Sequence, residues 1–427
     1  MTRILIRGGC ILSMDPKIGN HRVADLLIED GVITEVGPDL RVRDTEVVDA
    51  AESIVMPGFV DTHRHVSDSL FRGAGDLATV TGLGVHYSAD DVYAASLVGL
   101  LGAVEAGITT VVDWADIDRA SFDAALQGHT DSGLRTMFVP AGRSWAGADD
   151  RGPALKELTE RGHDPLRSFA VGLVRSLGDP DNFAEERAVA SGSGLRLHAH
   201  AGIEASDRGA VAELAARSLL GTDVTLVHCS GLEESDVDAI AASGATVSLA
   251  PSSEMVKGWG PPPIQQLIDR RIRPGLGTDT ERLAPGDMFA PMRAAISLQH
   301  ATHFDRKLAG KGGLPNLLTT REVIRFATID GARAVGLESV TGSLTPGKQA
   351  DVVVLRADGP NIVPVNDPIG AVVWGMDTSN LDWVFVRGVP LMREGALVAD
   401  LPRATAMATK ARDQVATAAG LLSGVRP

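Results

Sequence analysis

Cysteine is nearly absent from this sequence of 427 residues. The two cysteines are Cys10 and Cys229. Two thiols are too few for a disulfide framework or for a cysteine-rich zinc site, and this usage is typical of a protein kept in a reducing compartment. We therefore expect a cytoplasmic protein without disulfides.

Positive charge and long apolar runs are also scarce. Lysine and arginine total 40 against 55 acidic residues, a formal net charge of −15, and no lysine-rich run is present. This balance argues against a nucleic-acid partner. The first residues, MTRILIRGGCILSMD, alternate like a strand and lack the apolar core of a signal peptide, and no apolar run reaches membrane-spanning length. We expect no membrane association.

The motifs of nucleotide-dependent enzymes and serine hydrolases are missing too. There is no Walker loop and no Gly-x-Ser-x-Gly elbow, and the glycine cluster at 191–194 lacks the third glycine of a dinucleotide fingerprint. No nucleotide cofactor is expected. The composition that is present, 44% hydrophobic with 47 glycines and 4% aromatics, suits tightly packed α/β layers.

The hydrophobic pattern predicts an α/β protein built on a (β/α)₈ TIM barrel. Short apolar runs alternate with helical segments through the middle of the chain, which is typical of βα units around a parallel sheet. Eight units in about 280 residues match the size of such a barrel. The strand candidates are Ile54–Val60, Thr109–Trp114, Arg135–Ala141, Phe169–Arg175, Leu195–Ala201, Val224–Cys229, Ala245–Pro251 and Ile272–Asp279.

The two chain ends differ from the middle. Alternating strands with turn signals, such as Asp30-Gly31 between two apolar runs, occur near both termini. We predict a composite β-sandwich from residues 1–55 and 345–400, a barrel from 56–344 and a C-terminal helix within 401–427. That helix lacks a strong apolar stripe, so we expect it to be exposed.

The first chemical signal is Pro57-Gly-Phe-Val-Asp-Thr-His-Arg-His65, where an apolar strand ends in a His-x-His pair. Residues i and i+2 of a strand point to the same side, so His63 and His65 can share one cation. Two surface histidines that happen to alternate would give the same pattern. Their place at the carboxyl end of strand one, where barrel active sites form, favours the metal site.

This motif resembles the hallmark of the amidohydrolase superfamily, Pro-Gly-hydrophobic-hydrophobic-Asp-x-His-x-His. The resemblance implies a histidine at the end of strand five, another at the end of strand six and an aspartate at the end of strand eight. The sequence supplies Leu195-Arg-Leu-His-Ala-His200, Thr225-Leu-Val-His228 and Pro274-Gly-Leu-Gly-Thr-Asp279. The resemblance favours His200 over the deeper His198 as the strand-five ligand, so the metal ligands that it implies are His63, His65, His200 and Asp279.

We expect one metal rather than two. Relatives with two metals bridge them by a carboxylated lysine on strand four, and this chain has no lysine between Lys156 and Lys257. Three imidazoles and a carboxylate suit Zn²⁺, although Fe²⁺, Co²⁺ or Mn²⁺ would also bind. Such a cation lowers the pKa of a bound water from about 15.7 to near 7. The resemblance implies that Asp279 takes the water proton, while His228 orients the water, stabilises the oxyanion or ligates the metal.

Within the superfamily the chain looks closest to the branch of cytosine and guanine deaminases and triazine chlorohydrolases. In that branch a glutamate three residues after the strand-five histidine protonates a ring nitrogen, but here that position is Ile203. Glu204 and Glu254 are candidate replacements. An exposed loop carboxylate is the simpler interpretation of Glu204.

The missing glutamate directs the functional expectation. We expect hydrolysis of an amide, urea or carbamate-type C–N bond of a small molecule, also because Thr62-His-Arg-His65 and Phe71-Arg-Gly73 resemble phenylurea and thiocarbamate hydrolases. The alternatives are a deaminase of an aminated heterocycle and a non-catalytic ligand-binding barrel. Buried unpaired imidazoles would be costly in the latter.

The substrate pocket is predicted from residues at the barrel mouth. Besides Glu204, the candidates are Trp114, Trp145 and Arg175, each of which could equally have a packing or salt-bridge role. Arg175 would bind a carboxylate bidentately if the substrate were anionic. A homodimer or higher homo-oligomer is the default expectation for a soluble enzyme.

Overall fold

Eight parallel strands close into a barrel in the computed structural model, which describes residues 2–74, 83–141, 164–173 and 176–421. The strands follow one another around the ring in chain order, which confirms the predicted (β/α)₈ architecture. In that order, barrel strands one to eight are Phe59–Arg64, Ile108–Ala115, Arg135–Pro140, Arg167–Gly172, Arg196–Ala201, Val224–His228, Thr246–Leu249 and Gly275–Leu276. Their carboxyl ends share one rim of the barrel.

Barrel strand one begins later than the sequence pattern predicts. The apolar run from Ile54 is divided at Gly58, because Ser53–Pro57 pairs with strands of a separate sheet and the barrel strand starts at Phe59. A side chain at Gly58 would place its Cβ 2.1 Å from the Thr109 side chain, so only glycine allows this crossing. The division brings His63 and His65 to the barrel rim.

The separate sheet has nine strands from both chain ends. These strands form one hydrogen-bonded sheet with its own core, which confirms the separate β unit that the sequence predicted from both chain ends. Its strands are Arg3–Leu12, Asn20–Glu29, Val32–Gly37, Glu46–Asp49, Ser53–Pro57, Val352–Arg356, Leu381–Val386, Val389–Arg393 and Ala396–Leu397. Asp30 and Gly31, both with positive φ, form the predicted hairpin turn. The domain boundaries proposed above remain predictions.

Helices cover the outside of the barrel, which is why its strands are buried on both faces. In the described residues, the α-helices longer than three residues are Ala89–Glu105, Phe122–Ser132, Pro180–Gly192, Ala210–Ala216, Glu234–Ser243, Pro251–Lys257, Ile264–Asp269, Phe289–Leu308, Thr320–Phe326, Ile329–Ala334 and Leu401–Ala418. Edge-to-face packing of Phe59 on Phe289, with ring centroids 5.3 Å apart, joins strand one to the helical layer.

The C-terminal helix, Leu401–Ala418, is less exposed than expected. Ala404, Ala408, Ala411 and Val415 recur at helical spacing and are buried in clusters with residues of the helix Ala89–Glu105. Small alanines let the two helices approach closely, and this stripe escapes a search for large apolar residues. Among the described residues, no helix combines the length and apolarity needed to cross a membrane.

Candidate metal centre and substrate pocket

Strands one and eight bring the first candidate ligands together. The backbone N–H of His65 donates to the Asp279 carbonyl at 2.7 Å, and the Asp279 N–H donates to the His63 carbonyl at 2.9 Å. Asp279 has a φ of +60°, a conformation that L-residues seldom adopt and that often occurs at functional sites. The two strand ends therefore fix His63, His65 and Asp279 around one point.

The side chains of the predicted ligand set converge. Nε2 of His63 lies 3.3 Å from Nε2 of His200, and Oδ1 of Asp279 lies 3.5 Å from Nε2 of His63 and 3.3 Å from Nε2 of His65. His228 joins the cluster, since His63, His228 and Asp279 have donor atoms within 4.8 Å of one another. The structure thus gathers all five residues, and we call them the ligand cluster.

The chemistry of the ligand cluster fits a divalent cation. Oδ1 of Asp279 is buried without a hydrogen-bond partner in the described part of the chain, an arrangement that is costly unless a cation or water compensates it. Burial would raise the pKa of Asp279, but the imidazoles of His63 and His65 and the Lys257 ammonium hold it well below its usual range. Burial lowers the pKa of His200 well below its usual value, which keeps a nitrogen lone pair available.

His65 differs from the other histidines. Burial alone would lower its pKa, but the neighbouring carboxylates of Asp116 and Asp279 raise it to about 10. Its Nδ1 lies 3.2 Å from Oδ2 of Asp116, two residues beyond Trp114. A carboxylate behind an imidazole fixes the ring orientation and increases its basicity. Sequence reasoning missed Asp116, although it directly follows strand two.

Glu254 contacts His228. Its Oε1 lies 3.0 Å from Nδ1 of His228 and accepts the Ala250 N–H at 2.7 Å, and both side chains are buried. Burial raises the pKa of Glu254 and lowers that of His228, in each case strongly. Glu254 was predicted as a possible ring acid, and the structure places it against His228.

A pocket of about 240 Å³ opens beside the ligand cluster. Its lining residues are Trp114, Asp116, Ala141, Leu173, Ser176, Leu177, His200, Ile203, Glu204 and Asp207. Trp114 stacks on His200 with centroids 4.1 Å apart. The predicted pocket residues Trp114 and Glu204 are therefore both at the pocket, whereas Trp145 and Arg175 lie outside the described residues.

The two residues at the position of the missing acid have different environments. Ile203 is half-buried and presents an apolar side chain to the pocket. Glu204 is exposed and caps the short 3₁₀ turn Ala205–Asp207, with its Oε2 accepting the Ser206 hydroxyl at 3.3 Å. Capping and exposure agree with the simpler interpretation of Glu204 as a loop carboxylate.

Sequence reasoning also missed two residues that contact the other oxygen of Asp279. Ser253 donates a short hydrogen bond to Oδ2 of Asp279, and Nζ of Lys257 lies 2.6 Å from the same atom. Both are on the helix Pro251–Lys257, four residues apart and so on one face. That spacing, directly after strand seven, was a signal that the sequence contained.

A buried ion cluster supports the loop after strand eight. Arg64, fully buried between the two metal-motif histidines, has its guanidinium 3.0 Å from Glu281 and 3.4 Å from Asp61. Nε of Arg72 lies 2.9 Å from the same Glu281 oxygen as Arg64. Burial would raise the pKa of Glu281, but Arg64 and Arg72 hold it below its usual value.

The model of the amidohydrolase family matches residues 54–391. Because this match spans most of the sequence, the chain belongs to the amidohydrolase family. The matched range includes all nine residues of the strand-one motif, Pro57 to His65, and every member of the ligand cluster. The family resemblance drawn from the motifs is thereby confirmed.

Relatives match over nearly their full length. The chain is 28% identical over 445 aligned residues to a 5'-deoxyadenosine deaminase of Methanosarcina mazei, covering 97% of this chain and 99% of that protein. It is 26% identical over 430 residues to a 5-methylthioadenosine/S-adenosylhomocysteine deaminase of Pyrococcus horikoshii, covering 92% and 96%. These names favour the deaminase alternative over the amide and urea expectation.

Solved structures share the fold. An atrazine chlorohydrolase of Arthrobacter aurescens, crystallised with zinc and atraton, superposes with a TM-score of 0.84 at 24% identity over 96% of this chain and 100% of the other. An adenosine deaminase of Xanthomonas campestris with bound zinc gives 0.84 at 22% identity over 97% and 99%. At these identities the likeness concerns the architecture.

Proposed function

We propose that this protein is a metal-dependent deaminase that replaces the amino group of an adenine-type nucleoside with a hydroxyl, using water and releasing ammonia. The observation that carries the proposal is the ligand cluster, which lies beside a pocket whose Trp114 side chain stacks on His200. The full-length similarity to deaminases of adenine nucleosides supports this substrate class. The earlier amide and urea expectation becomes the second candidate.

In this proposal His63, His65, His200 and Asp279 hold one divalent ion, for which zinc is our first choice. When bound, such an ion lowers the pKa of a water molecule towards neutrality and so supplies the nucleophile. Asp279, kept ionised by its neighbours, accepts the proton of the attacking water and returns it to the departing amine. Fixing the carboxylate on two strand ends keeps it oriented for both transfers.

His228 is proposed to orient the attacking water, which can donate a hydrogen bond to its Nε2. Its Nδ1 faces Glu254, which leaves Nε2 towards the ligand cluster. An imidazole held this way is already oriented before the substrate arrives, and preoriented groups lower the barrier most. Trp114 lines the pocket, where an aromatic heterocycle can pack against its indole.

Ammonia release from a defined panel tests the proposal. The zinc-loaded protein is incubated with 5'-deoxyadenosine, 5'-methylthioadenosine and adenosine, and with phenylureas, carbamates and chlorinated triazines as the competing class. We expect ammonia and the hydroxylated purine from at least one nucleoside. Activity confined to the ureas or carbamates would refute the deaminase assignment.

Ile203 favours the second candidate, hydrolysis of a urea or carbamate-type bond. This apolar residue lies in the pocket where deaminases of the branch resembled here carry an acid, and a carbonyl substrate does not need ring protonation. The same panel separates the two candidates, since a urea yields an amine product detectable by chromatography.

A further inference from the structure

Lys257 lies at the ligand cluster without an evident part in holding a metal. Its Nζ is 2.6 Å from Oδ2 of Asp279, and its side chain retains 17% of its exposure. Oδ1 of the same carboxylate faces His63 and His65. The Lys257 ammonium therefore contacts one oxygen of the Asp279 carboxylate, and the imidazoles of His63 and His65 face the other oxygen.

The ammonium has unused donors. A lysine carries three N–H donors, and Asp279 is the one hydrogen-bond acceptor that Lys257 contacts among the described residues. Nζ also lies 4.4 Å from the ring centroid of Trp259, whose indole packs 4.7 Å from His228. The Trp259 ring stabilises the ammonium from one side, and within the described residues the remaining donors make no hydrogen bond, so they can serve a ligand at the barrel mouth.

Helix geometry holds Lys257 in this place. It is the last residue of the helix Pro251–Lys257, and Gly258 follows in a left-handed conformation with a φ of +72°. This cap turns the chain so that Trp259 comes back over the lysine. Ser253, one turn earlier, contacts the same Asp279 oxygen.

The proposed reaction requires one further hydrogen-bond donor near the ligand cluster. A heterocycle under nucleophilic attack needs a donor at the ring nitrogen next to the reacting carbon, because the donor draws electron density from that carbon. Ile203 has no donor in its side chain, Glu204 caps its own turn, and Glu254 contacts His228. None of these three meets the requirement in the observed arrangement.

We propose that Lys257 is a substrate-contacting residue whose ammonium donates a hydrogen bond to the ring nitrogen beside the reacting carbon. This inference rests on the proposed function. In this inference a lysine on the helix after strand seven provides the hydrogen-bond donor that Ile203, after strand five, does not provide. The ligand class is a nitrogen heterocycle with an acceptor at that position.

The test compares two ligands that differ in one atom, purine riboside and 1-deazapurine riboside, by titration calorimetry on the zinc-loaded protein. The variants are Lys257→Met and Lys257→Arg, and Lys410→Met on the exposed C-terminal helix is the control. Zinc content is measured for each. We expect the wild type and K410M to prefer purine riboside by about 10- to 100-fold, the size of a hydrogen bond to a charged group.

The inference predicts that K257M loses this preference, that K257R keeps part of it, and that zinc content does not change. A K257M protein that weakens both ligands equally, or that loses zinc, would show that Lys257 only supports Asp279 and would overturn the inference. Equal binding of the two ligands by the wild type would overturn it too. Ammonia release by the wild type tests the proposed function separately, so a failure of Lys257 alone is recognisable.

Discussion

Oε1 of Glu254 and Nδ1 of His228 lie 3.0 Å apart in a fully buried contact. Because Oε1 also accepts the Ala250 N–H, it acts as the acceptor towards Nδ1, and the imidazole proton resides on Nδ1. Burial raises the pKa of Glu254 and so favours its neutral form. The pair therefore sets the tautomer of His228.

Replacing Glu254 tests this arrangement. Glu254→Gln keeps an acceptor for Nδ1, so we expect it to retain most of the wild-type kcat. Glu254→Leu removes the acceptor and should lower kcat about 10- to 100-fold, the usual cost of losing a group that orients a functional histidine. Steady-state kinetics at equal zinc content measures both. If Gln is as damaging as Leu, Glu254 acts as an acid, as the sequence hypothesis held.

Metal removal provides the second prediction. Dialysis against a chelator should abolish hydrolysis and lower the unfolding temperature, because an ion bound only by the native state stabilises it, by about 2.7 kcal/mol at 100 times the Kd. One equivalent of Zn²⁺ should restore both, and Mg²⁺, which prefers oxygen ligands, should not. A requirement for two equivalents would contradict the single-metal prediction.

The strand ends explain why much of the site was predictable from sequence. His63, His65, His200 and Asp279 each end an apolar run, and parallel strands of a barrel bring their carboxyl ends to one rim. Order along the chain therefore translates into position on the rim. The same argument predicted the eight strands with errors of a few residues.

Contacts that depend on the path of the chain after a strand were not predictable. Lys257 reaches Asp279 only because a seven-residue helix follows strand seven, and Glu254 meets His228 through the same helix. The division at Gly58 was hidden because both halves of the run are apolar and buried. The hydrophobic pattern of a sequence indicates which residues are buried, but it does not show whether a buried run belongs to one sheet or to two adjoining sheets.

Gly277 offers a test of how tightly the strand ends must meet. A Cβ at this position would lie 2.6 Å from the His63 carbonyl oxygen and 2.9 Å from its nitrogen, so Gly277→Ala must push strand one away. We expect weaker zinc binding and lower activity, measured by chelator competition and ammonia release. Gly192→Ala, whose Cβ meets nothing within 4 Å, is the matched control. Unchanged zinc affinity in G277A would show that the strands adjust freely.

Glu281 provides a pH-dependent prediction. Its carboxylate is buried against Arg64 and Arg72, which hold its pKa below the usual value although burial acts in the opposite direction. A carboxyl with a depressed folded-state pKa stabilises the fold above its unfolded pKa of about 4.3, and this stabilisation is lost as the pH falls through the folded value. Glu281→Gln should therefore destabilise the metal-free protein most at neutral pH.

Urea unfolding of the chelator-treated protein measures the effect. At pH 7 we expect E281Q to lose about 3–5 kcal/mol, because Arg64 is left buried with one carboxylate partner fewer. The difference from wild type should shrink steadily below about pH 4.3 as the wild-type carboxyl becomes protonated. Glu213→Gln, which breaks the exposed pair with Arg217, is the control and should leave the free energy of unfolding nearly unchanged. A loss in E281Q that is the same at every pH would mean that packing, and not the charge of Glu281, stabilises this cluster.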